Sequence, residues 1–225
     1  MPIDPRDVSG VAALAEPVRR RLYDVVAASP EAVSREQAAS AADVQVHTAK
    51  FHLDKLVDEG LLDVEYRRLT GRTGPGSGRP AKLYRRSARE LAVSLPERQY
   101  DLLSRILARA VATATATGEP VGEVAASVAR DEGSAYGEGQ RPRARSGLGR
   151  LADVLESGGY EPRVVDGTLE LRNCPFHRVA QEQTELVCGL NLAYVSGVCA
   201  GLGCHDVQPS LDPDPRRCCV TAREA

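Results

Sequence analysis

All six cysteines of this 225-residue chain fall between Cys174 and Cys219, and the 173 residues before them contain none. Such segregation divides the chain into a thiol-free front and a thiol-bearing back, and the length is enough for two compact units with separate cores. Aromatic residues make up only 4%, with no Trp and two Phe, so those cores have to be built from Ala, Val and Leu. The opening MPIDPRDVSG has neither a basic n-region nor an apolar h-region, so no secretory signal is expected. No stretch of about 18 residues is uniformly apolar, so a membrane-spanning helix is not expected either. The expectation is a soluble, cytoplasmic protein. In that reducing compartment cysteines point to metal, cluster or redox chemistry rather than to structural disulfides.

The front half carries helix periodicity. Residues 9–28 place Val11, Leu14, Val18, Leu22, Val25 and Val26 at three- and four-residue steps, an amphipathic helix that Pro17 can break. Ser34 and Gln37 have capping-box spacing, so a short helix is predicted from Arg35 to about Ala42. After Asp43 and Val44, QVHTAKFHLDKLVDEGLL predicts a second helix with Val46, Ala49, Leu53, Leu56 and Val57 buried and Gly60 as its stop. Two helices joined by a tight turn make a helix-turn-helix. LDVEYRRL alternates apolar and polar residues, TGRTGPGSGRPAK is a Gly/Pro-rich tip, and KLYRRS returns, which together predict a β-hairpin wing.

Charge supports a nucleic-acid partner once it is counted locally. The net charge is −2, yet residues 1–90 carry 15 Lys/Arg against 13 Asp/Glu, and residues 91–225 carry 14 against 18. Arg67 to Arg89 hold eight basic residues and no acidic one, the kind of stripe that phosphate binding requires. Gln45, His47, Thr48, Lys50 and Phe51 occupy the exposed early positions of the second helix, where base edges are read. Arg72 and Arg79 in the tip, with Lys82 on the returning strand, suit phosphate or a neighbouring minor groove. His52 is open between DNA contact and packing at the helix edge.

The next segment, PERQYDLLSRILARAVATATAT, is a helix with Leu102, Leu103, Ile106, Leu107, Ala110 and Val111 on one face. It is assigned as a dimerisation helix, because two-fold operators need two-fold proteins. A further helix is expected over 120–131 and a polar, Gly-rich loop over 132–147. Then come a helix stopped at Gly158 and Gly159, a hairpin turning at Asp166-Gly167, one or two helices over 174–203, and a last strand through Cys218 to Arg223. The fold class is therefore α+β and mainly α: a winged helix-turn-helix over 1–90, dimerisation or connecting helices over 91–131, and a cysteine-rich sensing domain over 132–225.

Cysteine spacing argues against the usual structural zinc site, since no C-x2-C occurs anywhere. Widely spaced thiolates from a loop, a helix and a terminal strand suit a cluster held between elements. Cys174-Pro175 is also the dipeptide that ends some ferredoxin ligand runs. An enzyme is not expected: there is no Gly-rich nucleotide loop after a strand, no H-E-x-x-H and no nucleophile elbow, and histidines at 47, 52, 177 and 205 offer no triad.

LAEPVRRRLYDVVAASP, HTAKFHLDKLVDEGLL and GRPAKLYRRS resemble the winged-helix regulators of the ArsR-like superfamily. NCPFHRVAQEQTELVCGLNL and LDPDPRRCCV resemble the SufR-like repressors of iron–sulfur-cluster assembly operons. That resemblance implies a homodimeric repressor of double-stranded DNA carrying a [4Fe–4S] cluster on Cys174, Cys188 and Cys218. Cys204, His177 or an exogenous ligand stands for the fourth position. Cys218 is preferred to Cys219, because successive strand residues point to opposite faces and Cys218 follows Arg217 as the family's terminal Arg-Cys does. Cys199 reads as a packing residue. The competing reading is a zinc- or thiol-redox-sensing winged-helix regulator.

Overall fold

The computed structural model describes residues 4–68 and 80–224, so Arg72 and Arg79 of the wing tip lie outside the described residues. The chain is mixed α+β, mainly helical, and divides into two compact units that meet in sequence at Val93–Ser94.

In the first unit, α1 (Pro5–Ala13) and α2 (Pro17–Ala28) replace the single helix expected from periodicity. Pro17 starts α2 rather than kinking it, where its missing N–H costs nothing, and the Glu16 carboxylate caps the Val18 and Arg19 amides. Strand β1 (Val33–Ser34) leads into α3 (Arg35–Ala41), whose predicted capping box forms in full: the Gln37 amide donates to Ser34 Oγ, and the Ser34 amide donates to Gln37 Oε1. The turn to α4 (Val46–Asp58) passes through Asp43 at φ 53. Ala49, Leu53 and Leu56 of α4 are buried as expected, but Val46 is 43% exposed. It stands in the first turn, on the solvent side of the helix. Strands β2 (Leu62–Arg67) and β3 (Ala81–Arg86) pair antiparallel, and β1 joins the other side of β3. This is a winged helix-turn-helix.

The second unit holds everything from Ser94 onward around one core. It comprises α5 (Tyr100–Thr117), α6 (Val121–Glu138), α7 (Gly147–Ser157), β4 (Pro162–Val165), β5 (Thr168–Leu171), α8 (His177–Glu182), α9 (Thr184–Leu202), β6 (Val207–Leu211) and β7 (Val220–Glu224). The strands form an antiparallel sheet in the order β4-β5-β7-β6. Asp166 and Gly167, both at positive φ, turn the β4–β5 hairpin as a two-residue loop requires.

Three expectations change here. Helices α5 and α6 do not stand apart as a connecting segment but share the core of the C-terminal half. Leu102, Leu103, Ile106 and Ala110, the stripe assigned to a dimer, are buried in that core, while Val111 is 55% exposed. The 132–147 loop is also half wrong, since α6 runs on to Glu138. Glycine disfavours helix in isolation, but here it admits a neighbour. A Cβ at Gly133 would run into the Tyr194 carbonyl, and one at Gly197 or Gly201 would run into the carbonyls of Arg130 and Ser134. The α6 and α9 backbones touch directly through these positions.

Helix α9 is apolar nearly all round. Its length and mean hydropathy of 1.5 would also suit a membrane span, contrary to the expectation from sequence. Val187, Leu190, Asn191, Tyr194, Val195 and Val198 are buried against the unit's other elements, as in the core helix of a folded domain. Gly197→Ala is expected to destabilise the protein by about 1–3 kcal/mol or more through overpacking. Gly189→Ala, on the same helix with open space around it, should gain about 0.5–1 kcal/mol. Urea denaturation of both variants checks the pair; equal midpoints would refute the close contact.

Candidate functional site

The first unit presents the N-terminal end of α4. Gln45, the N-cap, makes no side-chain capping bond, and Gln45, His47 and Lys50 are exposed, with Thr48 half-buried. Phe51 is 65% exposed, an unusual position for one of two phenylalanines in the chain. His52 faces the other way, its Nδ1 3.4 Å from Arg19 Nε and 3.5 Å from Glu16 Oε2, which resolves it as a packing residue.

The basic stripe is less free in space than in sequence. Arg67 pairs with Glu31 and Glu65, Arg85 with Asp63, and Arg89 with Asp7 at 2.6 Å. Lys82 pairs with Asp54 at 2.5 Å, and Lys50 with the other oxygen of Asp54 at 3.1 Å. Arg68 and Arg86 are exposed and, among the described residues, form no ion pair. Antiparallel pairing and helix packing bring acids from outside 67–89 against the stripe, which a count along the chain does not see.

In the second unit four of the six cysteines line one cleft of about 390 Å³: Cys174, Cys188, Cys218 and Cys219, together with His177, Asp214 and Arg217. Cys174 lies in the turn before α8, Cys188 in the second turn of α9, and Cys218 and Cys219 in the loop leading into β7. Because β7 starts at Val220, the strand-alternation argument does not apply, and both sulfurs reach the cleft. The sulfurs of Cys188 and Cys219 are bonded as a disulfide. Cys174 and Cys218 are neighbours in the same cleft. The adjacent Cys218 lowers the Cys174 pKa below the usual thiol range, while Cys174 and burial raise that of Cys218. The four thus stand as two pairs. Among the described residues no three His, Cys, Asp or Glu side chains stand ready to hold a single metal ion.

Cys204 is not part of this cleft. With Cys199, Ser196 and His205 it lines a different one, and both thiols are buried. Burial pushes the Cys199 pKa up to about 12, consistent with a packing thiol.

A shell of polar groups holds the four-cysteine cleft. Asn191 Nδ2 donates to Cys218 Sγ at 3.1 Å, and Tyr160 Oη donates to Asn191 Oδ1 at 2.7 Å, a buried chain running into the core. The turn at Cys174 is pinned by Arg98, which donates to the Cys174 carbonyl at 3.1 Å and to Asn173 Oδ1, while Asn173 Nδ2 donates to the carbonyls of Gly159 and Glu97. The loop before β7 is pinned by Arg217, whose guanidinium meets the Asp212 carboxylate at 2.6 Å and the Cys218 carbonyl at 3.1 Å. Asp214 is held well below the usual carboxylate range by Arg216. None of these supporting residues was singled out from sequence. Asn191 was the most visible, as the one amide within an otherwise apolar helix.

A helix-turn-helix domain family matches residues 14–65, from the end of α1 into β2. The match includes none of the cysteine-bearing half. Searches of curated proteins and of solved structures find no match. The fold of the first unit and this match support a DNA-binding transcriptional regulator with a winged helix-turn-helix domain.

The buried chain gives a direct expectation. Asn191→Leu strands the Tyr160 hydroxyl in the core and should cost about 1–3 kcal/mol, the penalty of an unpaired buried polar group. Tyr160→Phe added to it should recover part of that loss. Urea denaturation of the reduced protein measures both, and strictly additive losses would deny the coupling.

Proposed function

We propose that the protein is an iron–sulfur-dependent repressor, held by its cluster in an operator-binding form and released when the cluster is lost or oxidised. One observation carries this reading: Cys174, Cys188, Cys218 and Cys219, spread over three separate elements, converge on one cleft. An all-thiolate donor set in a partly buried cleft fits the ligand chemistry of iron–sulfur clusters. Cys174, Cys188 and Cys218 are the expected ligands, with the pair at Cys188 and Cys219 reduced. Cys219 takes the fourth position in place of Cys204, and His177 on the cleft wall is its rival.

A bound cluster supplies a redox-labile centre whose presence depends on iron and on the absence of oxidant. The chain's own residues do the rest. Arg98 and Asn173 fix the turn that presents Cys174, Arg217 fixes the loop that presents Cys218 and Cys219, and the Asn191 amide donates to the Cys218 sulfur. Such donors around a sulfur are among the levers that tune a cluster. Losing the bound group would leave the turn, the helix and the loop without their common tie, and the resulting population shift would be read out as DNA affinity. A homodimer belongs to this reading because operators bound by helix-turn-helix proteins carry two half-sites. Its interface lies outside the buried stripe of α5. Genes of cluster assembly are the proposed targets, on the sequence resemblance, and the cytoplasm is where such a regulator meets DNA.

The Cys188–Cys219 bond favours a second reading, in which thiol oxidation alone is the switch. One experiment separates the two. Protein purified without oxygen should be brown, with stoichiometric iron and acid-labile sulfide. Ser variants at Cys174, Cys188 or Cys218 should lose the colour, while Cys199→Ser and Cys204→Ser keep it. A colourless, iron-free protein whose DNA affinity responds to dithiothreitol would instead establish the thiol switch, and bound zinc would exclude the cluster.

A further inference from the structure

The Asp54 carboxylate sits where a DNA-binding surface should have no use for a negative charge. It lies in the middle of α4, the helix whose early residues are exposed for base reading, and accepts three bonds. Lys82 Nζ from the wing reaches Oδ1 at 2.5 Å, Tyr84 Oη reaches the same oxygen at 3.0 Å, and Lys50 Nζ from one turn earlier on α4 reaches Oδ2 at 3.1 Å. The Lys82 ammonium also lies 5.0 Å from the centre of the Tyr84 ring. Tyr84 is 1% exposed and faces Val33 and Val64 in the three-stranded sheet, so the network has one immovable member. Partial burial alone would raise the Asp54 pKa, but the bonds from Lys82, Lys50 and Tyr84 outweigh it and keep the carboxyl ionised.

We propose that Asp54 is a specificity-determining residue of the DNA-reading face, one that withholds Lys50 and Lys82 from indiscriminate phosphate contact and ties the wing to α4. The proposal rests on α4 being the recognition helix. Binding to arbitrary DNA is driven almost wholly by phosphate neutralisation. Two lysines sharing one carboxylate present one net positive charge rather than two, and each must give up a short ion pair to meet a phosphate. Base contacts from Gln45, Thr48 and their neighbours are untouched by this arrangement. The carboxylate therefore weakens non-specific binding more than specific binding, and it holds both ammonium groups in one geometry without further ordering on docking.

The test needs no operator. Binding of the full-length protein to a random-sequence duplex is measured by fluorescence anisotropy over a series of salt concentrations. Asp54→Asn keeps the size of the side chain and an acceptor for Tyr84 while removing the charge. It should bind random DNA about three- to tenfold tighter at about 0.1 M salt, with a log–log salt slope steeper by about 1, as one more released counterion dictates. Lys82→Met added to Asp54→Asn should cancel much of the gain. Unchanged or weaker binding by a folded Asp54→Asn protein, judged by circular dichroism and thermal midpoint, would overturn the proposal.

Lys82→Met alone gives a second reading that does not depend on Asp54→Asn folding. It leaves Lys50 and Asp54 with no net charge between them, so its slope on random DNA should be shallower by about 0.9; an unchanged slope would show that this group meets no phosphate, again overturning the proposal. Wild-type protein with no salt-sensitive DNA binding would remove the recognition-helix assignment itself, and this proposal with it.

Discussion

Direct backbone contact between α6 and α9 is the constraint on which the C-terminal unit depends. Gly133 and Gly137 on one helix and Gly197 and Gly201 on the other leave no Cβ at four points of closest approach, where the carbonyls of Tyr194, Val198, Arg130 and Ser134 face glycine instead of a side chain. Close approach of this kind brings many weak dispersion contacts, and Cα–H donors near carbonyls add to them. It also lets α9 be buried on several faces at once, with α6 on one side and the sheet and α7 on others. Beyond its first turn, only a narrow line through Gly189, Leu192, Ser196 and Ala200 stays partly open, which accounts for a largely apolar sequence.

That enclosure gives the thiol cleft its precision. Cys188 and Asn191 sit less than one turn apart on α9, so a helix locked against α6 fixes both. Asn191 is a polar group in a position that tolerates few, and its amide is used at both ends, accepting from Tyr160 and donating to Cys218. A half-satisfied chain there would be costlier than an apolar one, so the arrangement ties the loop before β7 to the core. Arg98 and Arg217 do the same from the rim for the Cys174 turn and the 212–218 loop. These anchors fix the backbone that carries Cys174, Cys218 and Cys219.

The N-terminal unit shows the same economy with charge. Its basic stripe is partly neutralised by acids from α1, α4 and the facing strand, so the surface potential is set by pairing geometry as much as by composition. For a protein that must find its site among excess DNA, excess positive charge strengthens the wrong complexes too.

Local physics was enough for much of this molecule. The capping box at Ser34 and Gln37, the proline that opens α2, the Asp-Gly hairpin and the alternating wing strands each depend on residues a few positions apart, so the sequence alone determined them. It also determined that all the thiols fall in one of the two units, through their segregation. Long-range contact decided the rest. Glycines that read as a loop at 133–137 became helix because another backbone needed the space. The α5 stripe turned inward because α6 and the sheet were there to cover it, and Val46 turned outward. Cys219 joined the cleft, and Cys204 left it, because β7 begins two residues after Cys218 and α9 ends at Leu202. No pattern along the chain encodes those two endpoints relative to one another; only the packed core places them.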